Sequence, residues 1–159
     1  MVRSLLITIA ACAGSPVATH APKAPTLDAD DQVFAAVFHH EIKAAQLSAD
    51  EAVCLRVRSN PSSSHDASDA LLDTLVRTYP IVVAGSGCSG GGFDPVTVSA
   101  THGKAVMFDI GPIVRMGDEL RVQGGGGHRG GGSIHEVEYR VVKAGGSYRV
   151  ASERLLREN

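Results

Sequence analysis

Apolar residues recur with a period of two through the second half of the chain, and this alternation limits the fold more than any other feature. Val96 and Val98 alternate with Thr97 and Ser99, and Val106, Phe108 and Ile110 with Met107 and Asp109. Gly117-Asp118-Glu119 is a turn, after which Leu120 and Val122 resume the pattern. Val137, Tyr139 and Val141 then stand against Glu136, Glu138 and Arg140, and Gly145-Gly146 leads into Tyr148 and Val150. Successive side chains on a strand point to opposite faces, so each run predicts a half-buried strand. The short polar turns between them predict antiparallel hairpins.

The first half carries the helices. Asp28, Asp30 and Asp31 favour a helix N-terminus, and Phe34, Val37, Phe38, Ile42 and Ala45 share one face at helical spacing. Residues 52–58 alternate, with Val53, Leu55 and Val57 on one side and Arg56 and Arg58 on the other. Asn60-Pro61 begins a turn, and a second helix follows from about Asp66, with Leu71, Leu72, Leu75, Val76 and Tyr79 as its apolar face and Pro80 as its stop. Helices first and successive strands afterwards predict an α+β fold, two helices packed on one face of a mostly antiparallel β-meander.

Two glycine clusters imitate nucleotide-binding loops. Ile81-Val82-Val83 reads as a buried strand running into Gly85-Ser-Gly87-Cys-Ser-Gly90, a formal G-x-G-x-x-G, with Asp109 near the place of a ribose-binding acid. The helix that such a loop must open is missing, because Gly91-Gly92-Phe93-Asp94-Pro95 and a β-branched run follow. The same absence removes the nucleophile-elbow reading of Gly87-Cys-Ser89-Gly-Gly91. Gly124–Gly127 read as a strand lying close to another backbone, with His128-Arg129 at a hairpin tip and no Lys-Ser/Thr ending of a phosphate loop. No catalytic residue and no cofactor follow from either cluster.

Fifteen basic and 17 acidic residues, with neither sign gathered into a run, argue against a nucleic-acid partner. Trp is absent and aromatics make up 4%, too few for a base-stacking platform. The seven histidines show no metal-ligand spacing: His39 and His40 are adjacent and point to different helix faces, and they read as solvated side chains. No metal site is expected.

The N-terminus points to export. Arg3 precedes the apolar run Leu5–Ala11, too short for the roughly 20 residues of a membrane span. Ile9-Ala10-Ala11-Cys12 resembles the bacterial lipobox, which implies lipidation at Cys12 or, alternatively, cleavage that releases a soluble protein. The expected organisation is a signal and lipobox Cys over 1–12, an Ala/Pro-rich tether over 13–26, and one α+β domain over 27–159. Cys54 and Cys88 remain as an even pair, able to bridge in an oxidising compartment or to stay as separate buried thiols.

Glu41 is the candidate ligand-binding residue. It falls between Val37 and Phe38 on the wheel, inside the apolar stripe. A carboxylate there must snorkel from a frayed helix end, pair with an arginine, or line a pocket between helix and sheet with a raised pKa.

The ending GDELRVQGGGG…VEYRVVKAGGSYRVASE resembles the closing strands of small exported bacterial proteins of unknown function, and is similar to ketosteroid-isomerase-like cone folds, with Tyr148 where Trp is common. The resemblance covers about a quarter of the chain and implies a pocket between helices and a curved sheet. It implies no catalytic residue, and the order helix, strand, helix departs from the cone fold. The expectation is a lipid-anchored or periplasmic envelope component, non-enzymatic, meeting the membrane through its anchor and binding an envelope protein or small molecule. The alternative is a cone-fold small-molecule or enzymatic domain with Glu41 in its pocket.

Overall fold

The computed structural model describes residues 25–60, 62–131 and 135–158. Cys12, the signal segment and all but the last two residues of the 13–26 tether lie outside the described residues. No helix among the described residues is long and apolar enough to cross a membrane.

Helix α1 (Ala29–Ala44) starts where the acidic cluster predicts, with the Asp28 carboxylate accepting the Asp31 backbone N–H at 2.8 Å. Strand β1 (Ala52–Asn60) turns back into β2 (Ser63–Asp66), and α2 (Asp69–Thr78) is capped by the Ser68 hydroxyl. The short β3 (Val82–Ala84) leads through a 3-10 turn at Gly85–Gly87 into a hairpin, β4 (Cys88–Gly91) and β5 (Asp94–Val98). Four long strands close the chain: β6 (Ala105–Met116), β7 (Glu119–His128), β8 (His135–Ala144) and β9 (Ser147–Glu158).

Among the described residues these strands form a seven-stranded sheet in the order β2-β1-β6-β7-β8-β9, with β3 beside β1 as well, and the β4–β5 hairpin stands apart. The antiparallel run β6-β7-β8-β9 is the predicted meander. Against it, β1 runs parallel to β6, and β3 runs parallel to β1. The parallel step follows from α2, which carries the chain back to the start of β1 before β3 begins.

The main core lies between the helices and one sheet face. Val33, Phe34, Val37, Phe38 and Ile42 of α1 and Leu71 and Leu75 of α2 meet Val53, Leu55, Phe108, Tyr139 and Val141. The other face has a second, smaller core of Cys54, Cys88, Val96, Ala105 and Met107. That cover explains why β6 is buried on both sides over Ala105–Phe108, where alternation alone predicts one wet face.

The glycines of β7 make room for side chains more than for backbone. A Cβ on Gly127 would stand 2.5 Å from both Phe108 Cε1 and Val106 Cγ1, and one on Gly124 3.1 Å from Tyr139 Cε2. Large side chains of β6 and β8 therefore lie flat across β7 and reach the helices.

Candidate functional site

Three polar arrangements among the described residues are described in turn.

The first is centred on Glu41. The α1 stripe turns this residue into the sheet, where it is 7% exposed, while Tyr139 from the middle of β8 is fully buried. The Tyr139 hydroxyl donates to Glu41 Oε1, and the Gly127 backbone N–H supplies a further hydrogen bond. Burial pushes the Glu41 pKa up, against the lowering effect of the Tyr139 hydrogen bond. Burial likewise raises the Tyr139 phenol, helped by the carboxylate beside it. The expectation of a frayed or snorkelling carboxylate is thus corrected, since α1 holds its helical bonds through Glu41, whose carbonyl accepts the Ala45 N–H at 2.9 Å. The hydrogen-bond partner is Tyr139 and not an arginine.

From this buried pair a polar chain leads outward. The His40 ring lies edge-on to Tyr139 with centroids 6.0 Å apart, and its Nε2 meets Glu153 Oε2 of β9 at 2.6 Å. His39 is half-buried, with Nδ1 3.0 Å from the Tyr79 hydroxyl. Both histidines are therefore held by neighbours and are not freely solvated. They open onto a shallow depression of about 410 Å³ between α1 and β9, whose lining includes Lys43, Tyr148, Arg149 and Val150. Glu41 itself does not line it.

The second arrangement is on the opposite sheet face. Register places Asp66, Arg56 and Asp109 side by side on β2, β1 and β6, with Gly125 of β7 next in the row. Asp66 Oδ1 accepts the Ser86 N–H at 2.7 Å, which holds its carboxyl below the usual range. Arg58 Nε approaches Asp109 Oδ1 only to 3.7 Å, and these two atoms, with Arg58 Nη2, are buried without a hydrogen-bond partner. Burial raises the Asp109 pKa in spite of the two arginines, and lowers that of His128. Asp109 thus belongs to an arginine-rich sheet face. Beside it the Cys54–Cys88 disulfide, with Cα atoms 6.3 Å apart, fastens the β4–β5 hairpin to β1. The even pair of the sequence is a bridge.

The third arrangement is structural. Arg129, just past β7, donates through Nε to Glu51 Oε1 and through Nη2 to Glu51 Oε2 at 3.1 Å, and Nη2 also reaches the Ala45 carbonyl at 3.3 Å. Ser48 N–H donates to the same carboxylate at 2.9 Å. Arg129 is the main cause that holds Glu51 down to about 2. A depressed carboxylate stabilises the fold above its unfolded pKa, and that stabilisation disappears as pH falls through the folded one. Acid titration should therefore remove about 1–2 kcal/mol between pH 4.5 and about 2, discounted for the half-exposed Arg129 head. Arg129→Met should flatten that part of the stability–pH curve, as followed by urea unfolding. An unchanged acid slope would mean that the pair contributes nothing.

Among the described residues no group of three or more His, Cys, Asp or Glu side chains is placed to hold a metal ion. Comparison with protein-family models, curated proteins and solved structures finds no match.

Proposed function

We propose that the chain is an exported cell-envelope domain that binds a partner or ligand and catalyses no reaction of its own, attached to the membrane through lipid on Cys12. The observation that carries this reading is the Cys54–Cys88 bridge, because such bonds form and persist in oxidising compartments. The lipobox-like Ile9-Ala10-Ala11-Cys12 supports the same compartment and adds the anchor. The non-enzymatic part is supported by Glu41, whose buried carboxylate accepts the Tyr139 hydroxyl. The exposed apolar side chain of Phe93 at the hairpin tip, 88% accessible, supports a binding role.

The test is the intact mass of the protein from bacterial membrane and soluble fractions, before and after reduction and alkylation. A membrane species beginning at Cys12 with added acyl mass, and with Cys54 and Cys88 protected, is expected. A full-length soluble species with three alkylatable thiols would overturn the export reading. It would favour the cone-fold alternative, with Glu41 and Tyr139 at the heart of a small-molecule site.

A further inference from the structure

We infer that the free edge of β9 is a docking site for a short extended segment of a partner protein, one that joins the sheet as a further strand and alternates acidic with apolar residues. The inference deepens the binding-domain reading and takes from it only the premise that the domain binds a partner.

The edge is the first argument. Strand β9 ends the sheet order, and among the described residues no strand stands beyond it. A strand in that place presents a row of backbone N–H and C=O groups with which another chain can pair. At the opposite side of the sheet β1 is flanked by β2 and β3, of four and three residues, whereas β9 runs for 12. Leu155 and Leu156 are exposed near its end. Over its first half β9 borders the depression lined by Ala36, His39, His40 and Lys43 of α1 and by its own Tyr148 and Val150. An added strand therefore has room for side chains beside α1, in the manner of a peptide held between an edge strand and a helix.

Charge complementarity names the occupant. The β8–β9 register sets Arg149, Arg154 and Arg157 on the sheet face away from the helices, and Tyr148, Val150 and Leu155 on the helix face. The inner neighbour shows what suits these side chains. On β8, Glu138 stands opposite Arg154 and accepts its Nη2 at 2.9 Å, Glu136 stands opposite Arg157, and Val137 stands opposite Leu155. An outer neighbour meets the same β9 side chains from the other side, so the same alternation of acid and apolar residue fits it. Arg154 remains two-thirds exposed beside Glu138 and is open to a second carboxylate.

A second copy of this chain fits the edge poorly. Two β9 strands pairing antiparallel are related by a two-fold axis perpendicular to the sheet, so like faces join. The arginines of one copy would then fall beside those of the other. The edge also bulges twice, where Ala151 and Leu156 have no partner on β8. Bulges break a long flat edge into short regular stretches, which oppose extended self-pairing and suit a short segment.

The test uses the full chain carrying Cys12→Ser, so that acylation plays no part, and a fluorescein-labelled peptide, Glu-Val-Glu-Val-Glu-Val-Glu, followed by anisotropy. Saturable binding is expected. The same peptide with lysine in place of every glutamate should bind roughly tenfold more weakly. A fully N-methylated version keeps the side chains, loses every backbone donor, and should not bind. Arg149→Glu/Arg154→Glu in the protein should weaken binding roughly tenfold. Arg77→Glu on α2, which packs on β3 at the far side of the sheet, should leave it within about twofold. The milder Arg149→Gln/Arg154→Gln pair repeats the comparison if charge reversal disturbs folding. No saturable binding, equal binding of the lysine or N-methylated peptide, or equal loss in the Arg77 variant would overturn the inference. Self-association that competes with the peptide would overturn it too, by giving the edge to a second copy. None of these results bears on the mass measurement, so export and partner chemistry fail separately.

Discussion

Replacing both Cys54 and Cys88 with alanine should lower the unfolding free energy by about 3–4 kcal/mol, the loop-closure value for a bridge across 34 positions. The bond is buried, with Cys54 fully inaccessible and Cys88 7% exposed, and it sits at the centre of the small second core. Its loss therefore frees the unfolded chain and also thins the cover over Met107 and Ala105. The hairpin has other attachments: Val96 N–H donates to the Arg129 carbonyl at 3.1 Å, and Gly131 N–H to the Phe93 carbonyl at 3.3 Å. These peripheral bonds should not hold it alone. Hydrogen exchange should accelerate over residues 88–98 well before β7 and β8 respond. Urea unfolding of the oxidised protein and the double variant measures the size of the effect. A loss below about 1 kcal/mol would assign the hairpin's attachment to Val96 and its neighbours instead.

The second large effect concerns Tyr139. Tyr139→Phe should destabilise the protein by about 2–3 kcal/mol at pH 7, because it strips a hydrogen bond from a buried carboxylate. The hydroxyl is one of the groups that hold the Glu41 pKa down, so the variant should push that pKa still higher. The sign follows from linkage. In the variant the unfolded state releases the Glu41 proton at a lower pH than the folded state does, so stability falls as pH rises through that interval. Most of the deficit should therefore vanish below pH 4.5, where the carboxyl is protonated in both states. Glu41→Gln keeps an acceptor for the phenol without a charge to desolvate and should cost much less than Glu41→Leu, which leaves the hydroxyl unpaired. Equal losses for Gln and Leu, or a Tyr139→Phe deficit independent of pH, would rule out this account.

Much of the fold is legible in the sequence because most of its elements carry their own period. Phe34, Val37, Phe38 and Ile42 mark α1 unaided, and Val137, Tyr139 and Val141 mark β8. The missed elements lack such a signal. Strand β4 is Cys-Ser-Gly-Gly, with no alternation to read, and becomes a strand through a disulfide and a hairpin partner. Ser63–Asp66 carries no buried apolar residue, and its pairing with β1 depends on a turn. The parallel alignment of β1 with β6 depends on long-range register, which hydrophobic pattern does not encode.

The candidate site shows the same division. Glu41 is conspicuous on a helical wheel as an acid within an apolar stripe, and Tyr139 as an inward strand residue. Their meeting depends on where α1 crosses the sheet, and on Gly124 and Gly127 letting large side chains pass over β7. His39 and His40 look solvated in one dimension because their partners, Tyr79 and Glu153, belong to α2's cap and to the last strand.

The sheet order also bears on when the domain can assemble. Both helices and β1 are made first, but the inner neighbour of β1 is β6, and the face beneath α1 is completed only by β8 and β9. The N-terminal half has no complete sheet to fold onto until nearly the whole chain exists, and nucleation falls to the local hairpins of the C-terminal meander. During synthesis, β1 is therefore without its inner neighbour until β6 has been made, and α1 is without the whole of its floor until β8 and β9 follow.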